Sequence, residues 1–482
     1  MTKSMSFENR RWLYLIPAMG GILWWPASPS GYYWWPFAIL SFASLAFFYL
    51  KLQLLKDSAA VIIAKGLIGS TVFWIFWQIP LTVNIYIALS RLYGSSTRAL
   101  LASVAYVLFS SLKSSLFSIL LAILLIRTIK SKIQIPILAL ILFFQAHYLY
   151  FIWPRISEAV LVETSYFAFA ISHLGGTAFS ILFYLQAALV GFFFVRFRLR
   201  IACICYISLV ISFTICAWSL EAIQKSSQNM SSSNVTKTRF VLFQTNIDNH
   251  NPDAEFPFDW IKKSLDSINQ NSIERHPTVL LFPEYSFDSA DQVSQLLKIT
   301  SVHPLRPEII LGISRRTTEG LANQLIHLNE KGEEISSYTK NVNFPMGEVD
   351  LNFPLIPKAW RTPSIKYYNA NSFRPFVLTG GRQLFPIICY EGILQSQFDR
   401  FDPWLKNGHT KEGVFIHLSK DSHFAGTQIM KYLSLGSRLL AAGKGVPLIR
   451  VSTTGLTEVY DRFGQRIALS SPNKQEFIEV LL

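Results

Sequence analysis

Glu284, Lys340 and Cys389 are a carboxylate, an amine and a thiol, each standing in a strand-end or loop motif of this 482-residue chain. Cys389 follows Phe385-Pro386-Ile387-Ile388 and precedes Tyr390-Glu391, where a strand is expected to run into a turn. The other cysteines, Cys203, Cys205 and Cys216, fall in a long apolar stretch and read as small helix residues. Glu284 closes Leu281-Phe282-Pro283-Glu284, and Lys340 closes Tyr338-Thr339-Lys340. A thiol becomes a nucleophile when a nearby cation or base favours the thiolate. Glu284 can act as base toward Cys389 and then as acid toward a leaving group. Lys340 can place positive charge where a tetrahedral oxyanion forms, with the backbone N–H after Cys389 as second donor.

Such residues need strand ends to hold them, and the sequence from Thr238 supplies strands. Phe240–Phe243, Thr278–Phe282 and Ile309–Ile313 read as strands, and Trp260–Ile268 reads as an amphipathic helix. Gln324–Tyr338 reads as a hairpin turning at Glu330-Lys331-Gly332. Gly413–Leu418 is a strand followed by a loop and the helix Gln428–Ala442. Pro447–Ser452 and Leu456–Tyr460 are expected to close the chain as a strand pair, with a turn at Asp461–Gly464.

The first half is different in kind. Seven apolar stretches, near residues 11–28, 31–50, 60–81, 99–126, 134–153, 168–195 and 200–219, approach the roughly 20 residues a helix needs to cross a bilayer. The first lacks a small-residue cleavage site and reads as an uncleaved helix. Lys3, Arg10 and Arg11, then Lys51 and Lys56, Arg127, Lys130 and Lys132, and Arg196, Arg198 and Arg200 all fall on one side of such a bundle. The positive-inside rule places them, and the N-terminus, in the cytoplasm, and an odd number of spans exports the rest. Much of the net charge of +14 sits in these loops, where anionic headgroups are the natural partner, so nucleic-acid binding is not expected. The serine-rich run Lys225–Asn234 reads as a linker. The expected organisation is a membrane domain over 1–220, a linker over 221–237 and a catalytic α/β domain over 238–482. Trp34, Trp35, Trp74 and Trp77 read as packing or interfacial residues. No metal-ligand spacing or phosphate-binding loop is present, and no cofactor is expected.

The order Glu, Lys, Cys at successive strand ends is that of the nitrilase superfamily, and with the membrane half the chain resembles the apolipoprotein N-acyltransferase family of bacterial envelopes. Further segments carry the resemblance: Gln244-Thr245-Asn246-Ile247, Tyr338-Thr339-Lys340-Asn341, Phe344-Pro345-Met346-Gly347-Glu348, Ser419-Lys420-Asp421, and Pro447-Leu448-Ile449-Arg450 with Thr454-Gly455. The resemblance implies an αββα sandwich on a multi-span helical membrane domain, facing the periplasm from the inner membrane. It implies Cys389 as the acylated nucleophile, Glu284 as base and Lys340 as oxyanion stabiliser, with Glu348, Tyr390 and Glu391 supporting the site. The implied partners are a phospholipid acyl donor, an apolipoprotein acceptor and the bilayer, and the expected state is a monomer.

Departures are visible. The sequence stops at Glu479-Val480-Leu481-Leu482, where the family usually has one more membrane helix; Phe151-Ile152-Trp153-Pro154 lacks the family's Gly-Phe-Pro-Trp loop; His423-Phe424 replaces Trp-Phe; and Gly443-Lys444-Gly445 replaces a glutamate-bearing segment. A membrane-anchored amidase acting on a small amide would use the same three residues, so it stays open beside the transferase, as does a non-enzymatic scaffold with a decayed site. His409, His417 and His423 leave a cysteine–histidine hydrolase open as well. Asp421 reads as a loop cap, Glu391 as either a buried structural carboxylate or a direct participant, and Tyr390 as a possible packing residue.

Overall fold

The computed structural model describes residues 7–28, 35–55, 57–93, 95–128, 134–144, 165–174, 176–228, 237–247, 256–271, 276–287, 289–318, 320–344, 348, 368, 373–406 and 413–482. Their contacts form two compact units, one of residues 1–227 with 427–435 and one of 228–426 with 436–482.

Among the described residues of the first unit, five helices are long and apolar enough to cross a membrane: Trp35–Leu52, Ala60–Arg91, Ser96–Leu116, Thr177–Arg196 and Leu199–Ser219. They mark a multi-pass membrane protein. The expected first and fifth spans are represented by shorter apolar helices, Leu13–Leu23 and Gln134–Phe143, and residues 29–34 and 145–164 lie outside the described residues. The expected sixth stretch is two helices, Ser165–Leu174 and Gly176–Arg196. The last helix runs over Leu199–Gln228 and takes up the start of the expected linker, since its polar end, Lys225 to Gln228, continues the helical hydrogen bonding; residues 229–236 lie outside the described residues, as do Trp34 and the Phe151–Pro154 segment.

Side chains inside this unit follow membrane packing rules. A Cβ at Gly191 would stand 2.7 Å from the Ala43 carbonyl, so glycine permits the helices Trp35–Gln53 and Gly176–Arg196 to touch backbone to side chain. Gln78 donates to Ser111 Oγ at 2.9 Å and accepts from Ser110 Oγ at 2.7 Å, which satisfies a polar group that would otherwise sit unpaired in an apolar interior. Trp74 and Trp77 are buried, and Trp77 stacks on Trp24 with ring centroids 4.8 Å apart, so both pack the core.

The second unit contains two six-stranded mixed sheets. One has the order β12-β1-β2-β3-β4-β5, built from Arg239–Gln244 (β1), Thr278–Leu281 (β2), Glu308–Arg316 (β3), Leu321–Leu328 (β4), Glu334–Thr339 (β5) and Glu476–Leu481 (β12). The other has the order β11-β10-β9-β8-β7-β6, from Phe376–Val377 (β6), Gln383–Ile388 (β7), Val414–Ser419 (β8), Leu448–Ser452 (β9), Glu458–Tyr460 (β10) and Arg466–Leu469 (β11). Strands β1, β2 and β3 are mutually parallel, as are β7, β8 and β9. One apolar cluster joins the sheets face to face through Leu242, Leu281, Ile310, Ile388, Ile416 and Val451. Helices Phe258–Asn271 and Ala290–Ser301 cover the outer face of the first sheet through Ile261, Leu265 and Leu296. Phe398, Leu405 and Leu440 cover the second. The expected αββα sandwich is therefore the observed one.

The chain does not close with a strand pair. After β9 and β10 come β11 and β12, and β12 crosses to the first sheet to pair antiparallel with β1, Phe240 opposite Val480. Gln244 steadies that crossing, donating to the Ser471 and Lys474 carbonyls and accepting from Ser470 Oγ.

Candidate active site

The ends of parallel strands supply the site, as open α/β sheets commonly arrange. Strand β2 stops at Leu281, and Pro283, with no N–H to give, turns the chain out of the sheet. Glu284 follows, then Tyr285 at φ 54°, a left-handed conformation that a non-glycine residue adopts at a cost. The loop crosses β3 so closely that a Cβ at Gly312 would lie 2.6 Å from Glu284 Cα. Lys340 leaves β5 with its N–H bonded to the Asn323 carbonyl at 2.8 Å. Cys389 leaves β7 at φ 49° and opens the 3₁₀ turn Cys389–Ile393. Strand, strained residue, turn is the local design that lifts a side chain off a sheet edge.

Two of the expected residues, Glu284 and Lys340, meet directly, and Cys389 lies near enough for both charges to act on its thiol. Lys340 Nζ lies 3.4 Å from Glu284 Oε1 and 2.8 Å from Glu348 Oε2. Glu284 accepts from Asn323 Nδ2 at 2.6 Å and from the Lys420 backbone N–H at 2.7 Å. All its neighbours are donors, and its carboxylate is aimed rather than free to rotate. Glu348 also accepts from the Phe344 N–H at 2.7 Å and takes the shorter contact with the ammonium. Residues 345–347 between them lie outside the described residues.

Charge states follow from burial and neighbours. Burial alone would lower the Lys340 pKa, but Glu284 and Glu348 outweigh it and hold the ammonium charged. The Cys389 pKa is raised as well, which for a thiol favours the neutral form. Dense packing pushes it up, Glu284, Glu348 and Asp421 push further, and Lys340 alone pulls down. A raised thiol pKa agrees with the expectation that a base, rather than the cation alone, takes the proton.

Glu391 is a buried tie. Its Oε1 accepts from the Asn341 N–H at 2.6 Å and the Val342 N–H at 3.1 Å, and its Oε2 accepts from Tyr338 Oη at 2.8 Å and the Ile388 N–H at 2.9 Å. One carboxylate thus fastens the lysine loop to the cysteine turn. Burial raises its pKa against the pull of these donors. Tyr390 packs edge-on to Phe344 with centroids 5.4 Å apart, and Phe344 meets Phe424 at 6.0 Å, so an aromatic wall flanks Cys389.

Asp421 opens the turn Ser422–Phe424, but its side chain does not cap it as expected. Its carboxylate accepts from Ser419 Oγ at 2.6 Å, Ser452 Oγ at 2.9 Å and the Arg450 guanidinium at 2.6 Å, all of them buried. Burial would raise its pKa, but Arg450 and the hydroxyls hold it below the usual carboxylate range. A Cβ at Gly455 would reach within 2.1 Å of Asp421 Oδ2, which explains the glycine after Thr454. His417 meets the Cys389 carbonyl, 2.8 Å from Nε2, and does not serve as a base in a cysteine–histidine pair; His409 and the His423 side chain lie outside the described residues. Asn323, Gly312 and the Lys420 N–H escaped the sequence reading, because a strand asparagine, a strand glycine and a main-chain donor carry no motif. No cluster with metal-ligand character occurs among the described residues.

Fold and site together define an αββα domain with a carboxylate, an ammonium and a strained cysteine gathered at its strand ends, in a chain that also carries membrane helices. No family model matches the chain. It is similar to apolipoprotein N-acyltransferases of Sinorhizobium medicae and Rhizobium meliloti, each 25% identical over 222 residues, 43% of this chain and 40% of the relative, and to that of Photobacterium profundum, 29% identical over 140 residues. The alignment spans about two fifths of the length of the first two relatives. Among solved structures, it is similar to Saccharomyces cerevisiae Nit3 of the nitrilase superfamily (TM-score 0.38, 15% identity, 52% of this chain and 93% of that one) and to an amidase of Nesterenkonia (TM-score 0.36, 17% identity, 52% and 92%).

Proposed function

We propose that this protein transfers an acyl chain from a phospholipid to the N-terminal amine of a diacylglyceryl-cysteine apolipoprotein by way of a thioester on Cys389. The observation that carries this reading is the buried Lys340 ammonium held between Glu284 and Glu348 beside the turn that bears Cys389. The named similarity to N-acyltransferases supports the acceptor class. Glu284 takes the Cys389 proton as sulfur attacks the ester carbonyl; the C–S bond forms and the carbonyl electron pair moves to oxygen, facing Lys340. When the intermediate collapses, the C–O bond to glycerol breaks and Glu284 returns its proton to the alkoxide. The amine then attacks the thioester, loses a proton to Glu284 and releases the thiol. Glu348 balances the ammonium, Glu391 fastens the two loops, and Tyr390 supplies a backbone N–H and part of the aromatic wall. In this reading the membrane helices, over the proposed domain 1–220, keep both lipid substrates in the bilayer, with the catalytic domain from 238 onward on the periplasmic face of the inner membrane and the enzyme acting as a monomer.

Water in place of the amine would make the same site a hydrolase, so product identity separates the two. Wild-type protein in vesicles of phosphatidylethanolamine, given a diacylglyceryl-cysteine peptide, should yield the N-acylated peptide by mass spectrometry, in excess over free fatty acid. Free fatty acid alone, with the peptide unchanged, would refute the transferase and favour the amidase-like alternative.

A further inference from the structure

His417 is buried and ionisable, and the chemistry above leaves it without a task. Alternation along β8 sends Val414, Ile416 and Leu418 between the sheets and Phe415, hence His417, to the helix-covered face. From there Nε2 approaches the Cys389 carbonyl oxygen at 2.8 Å. A carbonyl only accepts, so Nε2 carries the hydrogen. Burial first, and then the Arg450 charge, push the imidazole pKa down to about 3, so the ring stays a neutral donor at neutral pH. Its seat is close-fitting: a Cβ at Gly392 would lie 2.4 Å from the ring.

The consequence lies in the peptide unit. Peptide bonds among the described residues are trans, and in a trans peptide C=O and N–H point in opposite directions. With the Cys389 carbonyl drawn to the helix side, the Tyr390 N–H is directed back toward the inter-sheet side. Cys389 packs against the inter-sheet cluster, and Glu284 and Lys340 leave strands of the facing sheet. We propose that His417 is a positioning residue that aims the Tyr390 N–H at the oxyanion formed when Cys389 is acylated. This rests on the acyl-enzyme reading, and it adds a residue to which neither motif nor relative assigns a role.

Two rates on the full chain test it. Acylation by a p-nitrophenyl ester forms a C–S bond and an oxyanion, then expels p-nitrophenolate; alkylation by iodoacetamide forms a C–S bond and expels iodide without any oxyanion. His417→Leu should slow acylation about 10- to 100-fold and leave alkylation within about twofold, a split that general disorder of the site would not give. His417→Gln, whose amide N–H reaches the place of Nε2, should recover most of the acylation rate. Unchanged acylation in His417→Leu, equal loss of both rates, or His417→Gln as slow as His417→Leu would overturn the proposal. The ester is not a lipid, so a wild type that takes acyl groups from it but not from phospholipid would refute the lipid donor and spare His417. A wild type that the ester cannot acylate at Cys389 would refute both.

Discussion

Replacing Glu284 by glutamine should slow acylation of Cys389 about a thousandfold, in the range general base catalysis contributes, and should at the same time make the thiol easier to alkylate at neutral pH. The two effects have opposite signs for a reason. Glu284 is a negative neighbour that raises the Cys389 pKa, and Lys340 is a positive one that lowers it. Removing the carboxylate charge leaves Lys340 less opposed, so the thiolate fraction rises and the alkylation profile moves to lower pH. Acylation nevertheless falls, because no base remains to take the thiol proton in step with attack or to return it to the leaving alkoxide. Glutamine keeps one acceptor oxygen and turns its NH₂ toward either Asn323 Nδ2 or the Lys420 N–H, so one of these two donors loses its acceptor. Rapid-quench acylation and an iodoacetamide rate profile over pH 6 to 10 check both halves. A profile that moves to higher pH, or an acylation rate within tenfold of wild type, would remove Glu284 from the role of base.

Arg450→Met should lower the apparent melting temperature of the second unit by on the order of 10 °C, followed by near-ultraviolet circular dichroism in detergent. The substitution leaves Asp421 buried with its two serine hydroxyls and no cation. Breaking a buried pair by removing one partner costs about 3–5 kcal/mol, chiefly from the stranded charge. Asp421→Asn together with Arg450→Met should therefore melt above the single variant. The pH dependence has a definite sign. Asp421 titrates lower folded than unfolded, so its contribution is full above the ordinary carboxylate pKa and disappears as pH falls through the depressed value. The difference between wild type and Arg450→Met should accordingly shrink in strong acid and hold steady near neutrality. A melting point within 2 °C of wild type at pH 7 would show that the pair bears little load.

The strands that carry Glu284 and Cys389 were legible because each residue follows an apolar run, Thr278–Phe282 and Phe385–Ile388, and a strand end is where a side chain leaves a sheet; Lys340 follows the polar strand Glu334–Thr339 and was legible from residue order alone. The membrane helices were legible from composition, their ends less so: Leu199–Gln228 extends past its apolar part because helical hydrogen bonds need no apolar side chains. What stayed hidden depends on partners far along the chain. Strand β12 pairs with β1 across almost the whole second unit, and no local pattern states that register. The resting protonation of Cys389 depends on burial and on Glu348 and Asp421 as well as on Glu284 and Lys340. The four donors to Glu391, which come from both the lysine loop and the cysteine turn, favour the structural tie over the participant, and no local pattern announces them.

The central claim is a thioester on Cys389 drawn from a lipid. Purified wild-type protein incubated with phospholipid carrying an alkyne-tagged acyl chain should become labelled, the label should leave with neutral hydroxylamine, and Cys389→Ala should take up none. Labelling that persists in Cys389→Ala, or a folded wild type that takes up none, would contradict it.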